Sequence, residues 1–567
     1  MNLSKSLFHR PPAAHFFRAL STKSKKSKNI ALNIQIGERD GDWLELLTFA
    51  TASSSAFNHV NFSTAMSKLG RFRGHALSKM KDHDLYSAFI ASVSAALLTP
   101  DHLSSFGGTR EVTNIVHALV KLNEPSSAIM SKLNDQSSWL VSDGKPQEIA
   151  NAAWSFATTG TPAPDLFEAI ENRSSFLVSA GDPQAIANTA WAFAAMGVKA
   201  PKLFKAIEER AEFLATSCKP QEIANTAWAA ATLNHPSPKL FAAIEKAVEK
   251  RDSFLVTKGH PQAISSTAWA FATTNTKAPA LFKEIDLQAV RIAKNGSPQA
   301  IANTAWAAAT LDESAPELFR AIEREGEFLV KQGKPQAISN TAWAFARMGV
   351  PAPGLFAAIE RRAEFLVKDG GPQAAATTAW AFGKQRYDAP MLLGAVDAAS
   401  EVLIKRGNTQ CVSNAALAFA EIGHRPIAFF DCLENGENCD RFVKRANVRD
   451  INNVSWSLAT LGLARSNEKL LQALWRRTIE TDASEFLGDL LGQLVQIDVH
   501  ARASGVTLPP APPDLRTTMT QYVQRQTSTT SRFRLNFEDE YDELLTEAGF
   551  KHEREVSDAE RSDENTA

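Results

Sequence analysis

The chain is poor in several things that would fix its class. It has four cysteines in 567 residues, Cys218, Cys411, Cys432 and Cys439. They show neither the short paired spacing of a zinc site nor the density of a disulfide scaffold, so buried thiols in a reducing compartment are expected. No sign of charge is in excess: Lys and Arg number 61 against 62 Asp and Glu. That excludes a global basic field and confines any nucleic-acid or membrane attraction to local features. There is no uncharged apolar run of about 18 residues, so no membrane insertion is expected. A Gly-rich phosphate loop, an H-E-x-x-H, a nucleophile elbow and a metal-spaced His or Cys cluster are all missing. No catalytic residue, metal or cofactor is therefore assigned, and the chain reads as a non-enzyme.

Acidic residues are missing from one stretch in particular. Residues 1–37 carry Lys5, Arg10, Arg18, Lys23, Lys25, Lys26 and Lys28, with no Asp or Glu before Glu38. Rich in Ser and Ala and without an apolar h-region, this is the composition of an organellar transit peptide rather than a secretory signal. In HFFRALSTKS, Phe and Arg stand just ahead of small hydroxyl residues, which points to the mitochondrion, with the plastid as the alternative.

What the chain has instead is a repeat. Near-identical strings of the form PQAIANTAWAFA begin at Pro146, Pro183, Pro220, Pro261, Pro298, Pro335 and Pro372, giving spacings of 37, 37, 41, 37, 37 and 37 residues. Weaker copies start at Thr109, Thr409 and Val448, and an eroded one lies near residue 60. Self-similarity at this period marks stacked supersecondary units whose terminal copies degrade. The expected fold is all-α, a right-handed α-solenoid of about ten helical hairpins. The expected organisation is a targeting segment at 1–37, a helical region at 38–108, the array at 109–480 with its strongest copies at 146–408, a helical end and Pro-rich connector at 481–530, and an acidic helix and tail at 531–567.

Each unit reads as two helices. Pro in the first turn opens the leading helix, and a Gly or Asn about fourteen residues later closes it. With that Pro as position 0, apolar residues fall at positions 3, 4, 7, 8 and 11, as in Ile186, Ala187, Ala190, Trp191 and Ala194, one helical stripe. A second Pro opens the pattern LFxAIExRxxFLV, read as one further helix. Its Glu and Arg, such as Glu360, Arg361 and Arg362, read as a solvated face. The four extra residues of the 41-residue spacing fall within this second helix, in AIEKAVEKRDSFLV from Ala243.

Trp154, Trp191, Trp228, Trp269, Trp306, Trp343 and Trp380 recur at position 8, and Trp456 in a late copy. Set among alanines, they are expected to fill the core between hairpins, so that Trp306→Ala would cost roughly 3–5 kcal/mol. The face left over is then formed by positions 2, 5, 9 and 12. Position 5 is Asn151, Asn188, Asn225, Ser266, Asn303, Asn340 and Thr377, with Asn114, Asn414 and Asn453 in the weaker copies. An amide carries donors and an acceptor, so a row of them could read base edges or serve a structural bond between hairpins. At position 12, Arg347 and Lys384, with Arg386 nearby, could meet phosphates. Residues 146–408 nevertheless hold 27 Lys and Arg against 26 Asp and Glu, which argues against strongly phosphate-driven binding.

PQAIANTAWAFA followed by LFxAIExR resembles the octotricopeptide-type repeats of algal and protist organellar proteins, including plastid translation-factor and FAST-kinase-like proteins. The resemblance implies single-stranded organellar RNA bound along the concave surface at about one nucleotide per repeat, with the position-5 residues as readers. It also implies a role in processing, stability or translation of transcripts, with the organellar ribosome or RNA-processing proteins as further partners. TSTTSRFRLNFEDEYDELLTEAGFKHEREV from Thr527 resembles the segment leading into a RAP domain, which is expected to be incomplete here. The rival expectation is a scaffold for proteins, since helical arrays of similar period hold peptides in the same way.

Overall fold

The computed structural model describes residues 25–250, 254–486 and 488–528, and among them every regular element is a helix. Residues 1–24 and the acidic C-terminal segment, on which the leader and RAP-like expectations fall, lie outside the described residues. The contacts divide the chain into two units, 1–281 and 282–567, each an α-solenoid in its own right.

In the first unit seven leading helices lie side by side, each packed on the next: α1 (Lys25–Glu38), α2 (His59–Leu69), α3 (Thr109–Lys121), α4 (Pro146–Thr159), α5 (Pro183–Ala195), α6 (Pro220–Thr232) and α7 (Pro261–Thr273). In the second unit the row is α8 (Pro298–Leu311), α9 (Pro335–Met348), α10 (Ala363–Gln385, whose leading part starts at Pro372), α11 (Thr409–Ile422), α12 (Val448–Thr460), α13 (Asp489–Ala503) and α14 (Pro513–Ser528). The array thus reaches past both expected ends. Residues 25–37, read as part of a leader, form α1, with Leu32 and Ile36 buried. The stretch read as a helical end and Pro-rich connector holds α13, α14 and, between them, a packed strap: Val506 and Leu508 are buried, and the Trp475 indole donates to the Pro509 carbonyl at 2.8 Å.

Local chemistry sets the helix ends as the sequence suggests. The Asp182 carboxylate accepts from the Ala185 N–H at 2.7 Å and the Ser297 hydroxyl from Ala300 at 3.2 Å, with Pro at the following position, where no donor is lost. Gly160 and Gly349 close α4 and α9 at φ 64° and 65°, in the left-handed region that a side chain resists.

The second layer differs from the expected single helix. LFxAIExRxxFLV is broken at its Arg: Pro201–Glu209 ends at Arg210, with φ −110° and ψ 16°, and Ala211–Ser217 restarts behind it. Glu and Arg are not merely solvated. The Glu208 carboxylate accepts from the N–H groups of Lys239 at 2.8 Å and Leu240 at 3.1 Å, capping the following unit's helix Pro238–Lys250. Arg210 turns the other way and donates to the carbonyls of Val178 and, at 3.1 Å, Ser179, at the end of the preceding unit's helix Ser174–Ala180. Its guanidinium lies 4.0 Å over the Phe213 ring, which fixes its direction. Glu171 with Arg173, and Glu360 with Arg362, repeat the arrangement. Each pair satisfies the orphan groups at two helix ends in neighbouring repeats. Arg361 alone behaves as expected, exposed and paired with Glu327.

The four extra residues lengthen the first helix of the second layer: Pro238–Lys250 has 13 residues where Pro201–Glu209 has 9. About 1.1 turns are added, so the apolar face is kept.

The core between layers and repeats is phenylalanine. Phe193 of α5 meets Phe167 of the preceding second layer edge-to-face at 4.8 Å, and Phe345 of α9 meets Phe319 at 4.9 Å. All four are at most 2% exposed.

Candidate functional site

A leading helix has a neighbour on each side and the second layer beneath it, so three sides are covered. In α5, positions 2, 3, 4, 6, 7, 9, 10 and 11 are buried, from Ala185 through Ala194. Positions 2 and 9, expected to be open, are Ala185 and Ala192 at 2% and 0% exposed. The open stripe is instead 1, 5, 8 and 12, one residue per turn, and position 8 is the tryptophan. Trp154, Trp191, Trp228 and Trp269 in the first unit, and Trp306, Trp343, Trp380 and Trp456 in the second, are all partly exposed. The expectation of a closed indole core is therefore corrected: phenylalanine fills the interior, and each indole is part-exposed on the open face. Ring size misled the reading, because a Trp among alanines looks like core, whereas the alanines are there to let helices approach on both flanks.

The position-5 residues stand on the same stripe. Asn151, Asn188, Asn225 and Ser266 in the first unit, and Asn303, Asn340 and Thr377 in the second, are partly exposed. The side-chain amides of Asn151, Asn188 and Asn340 make no hydrogen bond among the described residues. Asn225 and Asn303 accept from the position-1 amides of Gln221 at 2.8 Å and Gln299 at 2.9 Å, which leaves their own N–H donors outward. In the late copy, Asn453 does make the structural bond between neighbouring helices, donating to the Ser413 hydroxyl at 3.0 Å. The glutamines of the Pro-Gln strings, including Gln147, Gln184, Gln336 and Gln373, are exposed members of the face. Sequence reading passed over them, although the four-residue spacing from Gln to Asn was visible.

In the first unit His117 takes position 8 of α3, its ring 4.5 Å from that of Trp154. Burial, and then the charge of Lys121, lowers its pKa to about 4, so it is neutral at physiological pH. Lys121 at position 12 is lowered by burial and by its neighbours Arg73 and Arg71. The remaining position-12 residues of this unit, Thr158, Ala195, Thr232 and Thr273, are uncharged.

The second unit carries on this face a groove of about 540 Å³ between α9 and α13. Trp343, Trp380 and Leu417 at position 8, Lys384 and Glu421 at position 12, Gln410 and Arg449 at position 1, and Asn414 and Asn453 at position 5 line it, together with the start of α13. Arg347 is exposed at position 12 outside this lining, and Arg386, 81% exposed, lies past the end of α10 with its guanidinium 3.9 Å from Glu421. The groove therefore takes Lys384 from the three predicted cations and adds Arg449, which the weaker copy's lack of the Pro-Gln signature hid.

No group of three or more His, Cys, Asp or Glu able to hold a metal occurs among the described residues. Cys218 is buried, which pushes its thiol up to about 12. No described helix is long and apolar enough to cross a membrane.

Comparison with known proteins adds little to this geometry. No family model and no curated protein matches the chain. Among solved structures, a chain of a homology model of the full-length AP-3 complex in an intermediate open conformation is similar at 10% identity, over 95% of this chain and 92% of that one, with a TM-score of 0.34. The helical-repeat architecture rests on the chain's own helices and their packing.

Proposed function

We propose that this protein binds single-stranded RNA along the stripe of Gln, Asn and Trp on its leading helices, and that it serves post-transcriptional RNA metabolism in an organelle, the mitochondrion before the plastid. The observation that carries the reading is the presence of part-exposed indoles and unpaired amides on one open stripe. Aromatic faces stack bases of any sequence for about 1–3 kcal/mol each, and amides pair with base edges. The resemblance to octotricopeptide-type repeats and the acid-free N-terminal stretch support the same reading. The face holds few cations, so stacking and amide contacts carry the affinity and counterion release contributes little. No catalytic role is assigned to the chain.

Filter binding of the purified chain to single-stranded RNA at several salt concentrations tests this. Retention with a shallow slope of log K against log salt, about −2 for three neutralised phosphates, is expected. Absence of retention at low salt would remove the reading. A second reading, a scaffold for an extended peptide, is favoured by the uncharged position-12 residues of α4 to α7, since an amide matches a peptide group as well as a base. It predicts peptide capture and no RNA retention.

A further inference from the structure

We infer that the groove of the second unit is a single-nucleotide pocket that prefers a base carrying an amino donor over uracil. The inference rests on the RNA reading and deepens it. Four features of the groove point to it together.

Its volume, about 540 Å³, falls in the range of small-ligand sites. Trp343 and Trp380 both contribute walls, and neither indole N–H has an acceptor among the described residues, whereas Trp456 donates to Gln496 at 2.5 Å and Trp475 to Pro509. The two indoles of the groove thus keep a part-exposed ring and an N–H donor for a ligand. Lys384 and Arg449 enter from opposite ends of their helices, position 12 of α10 and position 1 of α12. Neither has a carboxylate partner among the described residues, so each is available to a phosphate. Gln410 and Asn414 bring side-chain amides with no side-chain hydrogen bond among the described residues.

The feature that selects the base is acidic. Glu421 lines the same groove, with Arg386 at 3.9 Å as its ion-pair partner among the described residues, and Asp489 at the start of α13 is a second carboxylate in the lining. Carboxylates only accept hydrogen bonds. Uracil presents one N–H between two carbonyl oxygens, so an approach to a carboxylate sets acceptor against acceptor. Guanine presents an imino and an amino donor side by side, and adenine and cytosine each present an amino group. The carboxylates therefore favour guanine first, then adenine and cytosine, and reject uracil.

The test uses the full chain and short labelled single-stranded RNAs of matched length, read by fluorescence anisotropy at fixed salt. Oligonucleotides with a single guanine in a uracil background should bind about tenfold more tightly than uracil alone, and Glu421→Gln should abolish most of that difference without weakening the uracil oligomer. Trp380→Leu, a side chain that Leu417 shows to fit position 8, should weaken all sequences about tenfold. Lys384→Gln and Arg449→Gln should each flatten the salt slope by about 0.7. Circular dichroism identical to that of the parent chain confirms that the variants are folded. RNA binding that none of these changes alters would overturn the pocket and leave the RNA reading standing. Loss of all RNA binding by the parent chain would overturn both, and an extended peptide that protects Trp380 fluorescence from quenching would hand the groove to the scaffold reading.

Discussion

Trp191 and Phe193 sit two residues apart on α5 and should respond oppositely to truncation. Phe193 is fully buried and meets Phe167 edge-to-face at 4.8 Å. Burying roughly 200 Å² of ring at about 25 cal/mol per Å² gives an upper bound near 5 kcal/mol, and the ring pair adds about 1 kcal/mol. Phe193→Ala is accordingly expected to cost about 3–5 kcal/mol. Trp191 is larger but part-exposed, and its loss leaves a notch that water can enter rather than a sealed cavity. Trp191→Ala should therefore cost about 2 kcal/mol, well below the value expected for an indole in a closed core. Because a repeat array unfolds in pieces, amide exchange of α4, α5 and α6 under native conditions is the right assay, with urea midpoints as a second measure. RNA affinity should fall for Trp191→Ala and stay unchanged for Phe193→Ala at temperatures where both are folded. If Trp191→Ala proves the more destabilising of the two, the exchange of roles between indole and phenyl is refuted.

Two further outcomes follow from the fold. Glu208→Ala removes the acceptor for two helix-start N–H groups and should cost about 1 kcal/mol, with faster amide exchange at Lys239 and Leu240 and none at α5; exchange unchanged at those two amides would show the cap to be idle. A reporter fused to residues 1–24 should be imported into mitochondria as efficiently as one fused to residues 1–45, since Leu32 and Ile36 are buried in the fold; cytosolic retention of both fusions would exclude the leader.

The architecture was legible because its signal is duplicated. Pro, the αL-capping Gly or Asn and the Ala-rich stripe recur at a fixed period, and α4 to α9 form where they predict. The orientation of the stripe was less legible. A pattern of apolar residues locates one buried side, but these helices are covered on three, and small Ala at positions 2 and 9 reads as a polar-tolerant face until its neighbours are known. Trp was assigned by size to the interior, which Phe193 and its equivalents occupy. The position-5 residues do stand on the open stripe, because that placement does not depend on which flank is buried. Glu208 and Arg210 could not be found at all from one repeat, since the groups they satisfy belong to the units on either side.

The longer spacer between α6 and α7 shows what this division of labour permits. All its extra length is taken up in Pro238–Lys250, yet α7 returns to its usual place: a methyl carbon added at Gly259 would lie 3.2 Å from Pro220, as one at Gly181 would from Pro146. Insertions and deletions of a whole turn on the outer layer are thus invisible to whatever lies along the inner one. The second layer can drift in length while the pitch of the leading helices is preserved.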